Sequence, residues 1–109
     1  MELRCNNRII SDDVKLCNGA SKIKGLMFSG KLKDNEGLIL SNSSSIHMLF
    51  VFQKIDVVWL NKNKIVIDKK EDVKPFSLLI KPKVKADYVI ELPPGKAKLF
   101  KSGNKVYFR

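Results

Sequence analysis

Apolar positions along this chain come in short runs broken by small polar residues, a spacing that suits strands better than helices. Leu3 to Ile10 and Val14 to Cys17 flank Ser11-Asp12-Asp13, whose short polar side chains favour a turn, so the pattern predicts an opening hairpin. Gly37-Leu38-Ile39-Leu40 predicts a strand that ends in the polar loop Ser41 to Ser45. Ile46 to Phe52 and Ile55 to Leu60 are rich in aromatic and β-branched residues and are expected as the central strands. Asn61-Lys62-Asn63-Lys64 supplies the left-handed conformers of a turn into Ile65-Val66-Ile67, predicting a second hairpin.

Beyond the charged segment Asp68 to Lys74, Pro75 and Pro82 bracket Phe76 to Ile80, an expected edge strand because proline cannot donate to a ladder. Lys81, Lys83 and Lys85 would discourage that edge from pairing with another. Tyr88 to Leu92 predicts a strand stopped by Pro93-Pro94-Gly95, Lys96 to Lys101 one helical turn, and Val106 to Phe108 a closing strand. Only Ala20, Ile23, Leu26 and Met27 share a helical face, and Gly25 weakens a helix there. Short strands with marginal helices between them predict a mainly β fold. The expected architecture is a single compact antiparallel β-sandwich or barrel-like domain over residues 1–109, with one or two short helices.

Composition agrees with one ordinary globular core: 44% of residues are hydrophobic and 29% charged, far from the signature of disordered chains. The polar start Met1 to Arg8 does not read as an export signal, and no apolar run approaches the roughly 20 residues that span a bilayer as a helix. A cytoplasmic protein without a membrane partner is expected. Cys5 and Cys17 lack the Cys-x-x-Cys spacing of metal and redox motifs, so neither a metal nor a cofactor is expected. The predicted opening hairpin would set them nearly opposite, within reach of a disulfide, although a reducing compartment favours thiols.

The net charge of +10 adds a second theme. Residues 81–109 carry eight basic residues against two acidic ones, which makes Lys81, Lys83, Lys85, Lys96, Lys98, Lys101 and Lys105 a candidate polyanion-binding set. Such binding would be largely sequence-nonspecific, since lysine lacks the bidentate fork of arginine. A solvated lysine-rich surface accounts for the same residues.

Candidate chemistry is sparse. Phosphate-cradling glycine motifs and the Gly-x-Ser-x-Gly nucleophile turn are missing from the sequence, and no catalytic residue is assigned. His47, Asp56 and Glu91 are polar residues set inside apolar strands, and they form the candidate ligand-binding set. Each has an alternative structural role. His47 inside an apolar strand is expected to be a hydrogen-bonded structural histidine. Alternation sets Asp56 and Val58 opposite Ile55, Val57 and Trp59, so Asp56 is expected on the solvent side or at a rim. Glu91 is expected to point outward from a half-buried strand or into a cleft. Trp59, Phe50 and Phe52 are expected in the core rather than as base-stacking aromatics. A non-catalytic binding or accessory β-domain is therefore expected ahead of polyanion binding or a small carboxylate enzyme, and its partner is left open between a protein and a polyanion.

Read in order, three segments resemble a known prokaryotic family: Gly25-Leu26-Met27-Phe28; Ile46-His47 leading to Ile55-Asp56-Val57-Val58-Trp59-Leu60; and Glu91-Leu92-Pro93-Pro94-Gly95. The resemblance, over residues 20–108, is to the domain-of-unknown-function 192 family. It implies a compact β-sandwich-like domain and names no reaction. Gln53-Lys54 stands where the family usually has Phe-Pro, Asn61 where it has Asp, and Pro94 where it has Ala.

Overall fold

In a computed structural model, which describes residues 1–18, 26, 30–48 and 51–109, eight strands build two sheets. They are β1 (Leu3–Cys5), β2 (Arg8–Ser11), β3 (Asp13–Cys17), β4 (Glu36–Ser41), β5 (Ile55–Leu60), β6 (Val66–Val73), β7 (Tyr88–Leu92) and β8 (Val106–Phe108). A 3-10 turn occupies Lys96–Leu99. The smaller sheet runs β2-β1-β8 and the larger β3-β4-β7-β5-β6. The fold is mainly β, as expected from the short apolar runs.

The larger sheet is covered on both faces, and this organises everything else. Between the two sheets, Leu3, Cys5 and Ile10 pack with Val14, Ile39, Val58, Leu60, Ile90 and Leu92, closed by Ala97 and Phe100. On the opposite face, Leu38, Leu40, Ile55, Val57, Trp59 and Val89 pack under Leu26, Ile46, Met48, Val51, Ile80 and Ala86. Burial from both sides explains why every residue of β5 is buried and why its sequence does not alternate cleanly.

Several local expectations differ from the observed structure. The opening hairpin turns at Asn6-Asn7, not at Ser11-Asp12-Asp13: Cys5 pairs with Arg8 and both asparagines have positive φ, 54° and 59°. Two left-handed residues make the two-residue turn whose twist suits a hairpin, and asparagine tolerates that conformation. Ser11-Asp12 instead carries the chain from the smaller sheet to the larger. There β3 pairs with β4 in parallel, so the sheet is not wholly antiparallel. A parallel pair requires a long connection, and 18 positions of sequence separate Cys17 from Glu36. The helix expected from Ala20 to Phe28 lies outside the described residues except for Leu26, which is buried in the core.

Ile46 to Phe52 is not a central strand over its described residues, and Phe76 to Ile80 is not an edge strand. Among the described residues their ladder pairing is limited to the isolated bridge Ile46↔Ile80. They cross the covered face of the larger sheet as a layer of their own, held by Met48 N–H on the Ser77 carbonyl (2.7 Å) and Phe76 N–H on the Met48 carbonyl (2.9 Å). Asp68 to Val73 of the charged segment belong to β6 instead, with bulges and Asp72 at φ 52°. The second hairpin forms as expected. Asn61 Oδ1 accepts from the N–H groups of Asn63 (2.9 Å) and Ile65 (3.1 Å). Asn61 thus provides the acceptor that an aspartate would provide at this position.

Candidate ligand-binding site

Glu91 sits mid-strand in β7, directly opposite Leu38 of β4 on one side and Val57 of β5 on the other. Ile90 and Leu92 point between the sheets while Val89 packs in the other cluster, so alternation turns Glu91 toward the face covered by Met48, Val51 and Leu26. The residue is 3% exposed, and its Oε1 has no hydrogen-bond partner among the described residues. Loss of water around the carboxylate raises the Glu91 pKa from 4.5 to about 7. Lys15 and Lys70 stand on the same face in the same cross-strand row, opposite Leu38 and Val57. They lie two strands away, about 10 Å at the usual strand spacing, and no salt bridge joins either to Glu91 among the described residues.

Gln53, also buried, fixes the rim of this face. Its Oε1 accepts from Leu32 N–H (2.8 Å) and its Nε2 donates to the Gly30 carbonyl (2.9 Å), which holds Leu32 against the cluster. Between Phe52 and Lys54 its burial has no signal in the alternation of the sequence, where Gln53 stands out only against the family pattern.

Asp56 is fully buried rather than at a rim or in solvent, and it faces the other core. Its Oδ1 accepts from Asp72 N–H (3.0 Å), and its Oδ2 accepts from Gly95 N–H and Ala97 N–H, both at 2.9 Å. The carboxylate therefore locks the turn after β7, where Gly95 takes the left-handed φ of 99°. β5 and β7 are paired in register, Asp56↔Leu92, so the Ile-Asp-Val-Val and Glu-Leu-Pro-Pro-Gly segments form one unit. Lys69 Nζ completes it by donating to the Ala97 (3.0 Å) and Phe100 (2.9 Å) carbonyls.

His47 lies between Ile46 and Met48, which both point into the core, and is itself exposed. Its apolar neighbours in sequence thus do not bring His47 into the core. His47, Asp56 and Glu91 therefore point in three directions and do not share a site. Phe52, expected in the core with Trp59, is 60% exposed; Trp59 is buried and donates to the Ser44 carbonyl (2.6 Å).

The seven candidate lysines also divide. Lys81, Lys83 and Lys85 lie on the segment between Ile80 and Ala86, which covers the Glu91 face. Lys96, Lys98 and Lys101 surround Ala97 and Phe100 on the other face. Lys96 is turned inward, with Nζ on the Ile10 carbonyl (2.8 Å) and near Asp34 Oδ2 (3.5 Å). Lys105 Nζ donates to the Asn63 carbonyl and sits over the Tyr107 ring. Cys5 and Cys17 belong to different clusters and no disulfide joins them. Among the described residues no group of three or more acidic, histidine or cysteine side chains is placed to hold a metal.

A small β protein with one doubly covered sheet, a buried carboxyl on one face and a carboxylate-locked turn on the other defines a structural class rather than a reaction. Residues 10–108 match the DUF192 family, described as "Uncharacterized ACR", and the chain belongs to that family. The UPF0127 protein of Thermococcus sibiricus is 35% identical over 78 residues, which cover 68% of this chain and 49% of that protein. The UPF0127 protein of Thermococcus kodakarensis is 43% identical over 53 residues, 49% of this chain and 32% of that protein. The chain thus spans about half the length of these curated relatives or less. Among solved structures, a Sinorhizobium meliloti protein provisionally described as a transcription regulator has a TM-score of 0.84 at 19% identity, covering 97% of this chain and 91% of that one. A Novosphingobium aromaticivorans protein of unknown function has a TM-score of 0.78 at 23% identity, covering 87% and 74%. At these identities the likeness concerns the fold alone.

Proposed function

We propose that this chain is a non-catalytic binding domain, a single unit over residues 1–109, whose site is the Glu91 face of the larger sheet. Its ligand is a small, mainly apolar molecule that carries a hydrogen-bond donor. The observation that carries this reading is Glu91 Oε1, a buried acceptor without a partner among the described residues, set between Leu38 and Val57. An unfilled buried acceptor costs roughly 1–3 kcal/mol, which a donor on the ligand recovers. The apolar surroundings give affinity and the one carboxyl gives orientation. A primary amine is the strongest donor for it, because the bond is then charge-assisted.

Binding is favoured over catalysis because acid-base work needs groups within hydrogen-bonding reach of one another, and Asp56 and His47 face elsewhere. A cytoplasmic location belongs to the same reading: Cys5 and Cys17, set in separate cores, suit a compartment that keeps thiols reduced.

The test is a thermal-shift series with short primary alkylamines and the matching alcohols, on the wild type and Glu91→Leu. A ligand at about a hundred times its Kd adds about 2.7 kcal/mol, a shift of about 10–20 °C in a domain of this size. The expected result is a chain-length-dependent shift in the wild type that Glu91→Leu lacks. Equal shifts in both proteins, or none with any amine or alcohol, would count against the site.

A further inference from the structure

The segment Lys74 to Lys85 reads Lys-Pro-Phe-Ser-Leu-Leu-Ile-Lys-Pro-Lys-Val-Lys and contains no acidic residue. Ile80 is buried and anchors it, but Leu78 is 74% exposed, Val84 67%, Leu79 62% and Phe76 46%. The Phe76 ring meets the exposed Phe52 ring edge-on, with centroids 5.2 Å apart, which extends the apolar area to the neighbouring stretch that carries Lys54. Lys54, Lys74, Lys81, Lys83 and Lys85 are all exposed around it. Asp68, which reaches this segment, turns its carboxylate to the N–H groups of Lys83 (3.0 Å) and Lys69 (2.8 Å).

Several large apolar side chains on one exposed segment mark an interaction surface rather than scattered exposure. The lysines decide what fits it. A second copy would bring lysines against lysines, and like charges disfavour that pairing. Nucleic acid satisfies the lysines, but the aliphatic Leu78, Leu79 and Val84 give its bases no platform for stacking. An anionic bilayer satisfies both parts at once: apolar side chains enter the boundary between headgroups and acyl chains while lysines lie against lipid phosphates.

We infer that the surface formed by Phe52, Phe76, Leu78, Leu79, Val84 and the surrounding lysines docks this chain reversibly on an anionic lipid membrane. No helix among the described residues is long and apolar enough to cross a membrane, and docking of this kind needs none. The inference concerns a surface contact, where the sequence pattern gave reason to expect no membrane partner, and it does not depend on Glu91.

Sedimentation with vesicles tests it, using phosphatidylcholine alone and an equimolar mixture with phosphatidylglycerol. The intact chain is expected to bind the mixed vesicles, to ignore pure phosphatidylcholine, and to be released at about 1 M salt, where screening shortens the Debye length to about 3 Å. Lys81→Gln/Lys83→Gln/Lys85→Gln should weaken binding on the order of a hundredfold, at about fivefold per lysine near the surface. Leu78→Ser/Leu79→Ser should weaken it at least tenfold. Urea unfolding of both exposed-site variants confirms that the fold is intact. Failure to bind mixed vesicles would overturn the inference, as would binding that the leucine changes leave untouched. A concentration-dependent dimer lost in the leucine variant, without vesicle binding by the wild type, would also overturn it.

Discussion

At pH 8 the Glu91 carboxyl holds most of its charge inside an apolar face, and Glu91→Gln removes that charge while keeping the shape of the side chain. Burial raises its pKa from 4.5 to about 7. Between those values the folded chain holds a proton that the unfolded chain has released. Stability is therefore fully present below about pH 4.5 and falls as pH rises through 7. A gap of about 2.5 units, at 1.36 kcal/mol per unit, sets the loss at about 3 kcal/mol. Glu91→Gln should match the wild type near pH 4 and exceed it by up to about 3 kcal/mol near pH 8.5. Urea unfolding can be followed by the fluorescence of Trp59, the single tryptophan, which is buried in the same cluster as Val57 and Val89. Subtracting one protein from the other cancels every group that titrates alike in both. A difference between variant and wild type that stays flat from pH 5 to 8.5 would refute the reasoning.

Other outcomes follow from the packing and hydrogen bonds. Asp56→Ala strands the N–H groups of Asp72, Gly95 and Ala97, and should cost about 3–5 kcal/mol in urea unfolding. Asp56→Asn should cost about 2 kcal/mol and speed hydrogen exchange at Gly95 and Ala97, because one amide cannot accept at both oxygens' positions. Gly37→Ala sets a Cβ 2.8 Å from the buried Leu92 side chain and 3.2 Å from the Glu91 carbonyl, and should lower stability by about 1–3 kcal/mol. Cys5 is buried and its thiol pKa is raised by that burial, so a thiol reagent should modify it only at the rate of opening of the fold. Electrophoresis after mild oxidation should show no Cys5–Cys17 bridge; a bridged monomer would contradict the assignment of the two thiols to separate cores.

The mainly β character was legible because the Gly37–Leu40, Ile55–Leu60 and Tyr88–Leu92 runs carry apolar residues at strand length, and all three became strands of the larger sheet. Topology was less legible. Ser-Asp-Asp and Asn-Asn both read as turns, and only the positive φ at Asn6 and Asn7 shows which one closes the hairpin. Ile46 to Met48 looked like strand because a segment covering a sheet needs inward apolar residues as much as a strand does. Asp56 was misplaced for a related reason. Alternation identified its face correctly, but that face is covered by Ala97 and Phe100, so the carboxylate found backbone donors in place of water. Glu91 was legible as a polar residue in an apolar strand; that its Oε1 lacks a partner is a property of the folded neighbourhood. The exposed surface around Leu78 and Leu79 had a signal in the sequence too, an apolar run bracketed by lysines with no acid in between.

The role given to Glu91 rests on a carboxyl that is buried and uncompensated, and its own titration reports this directly. Carbon-13 NMR of the side-chain carboxyls follows Glu91 separately, assigned by its loss in Glu91→Gln. A midpoint near pH 7 is predicted. A midpoint at the ordinary value near 4.5 would mean that water or a partner already satisfies the charged form, and would contradict the site proposed for it.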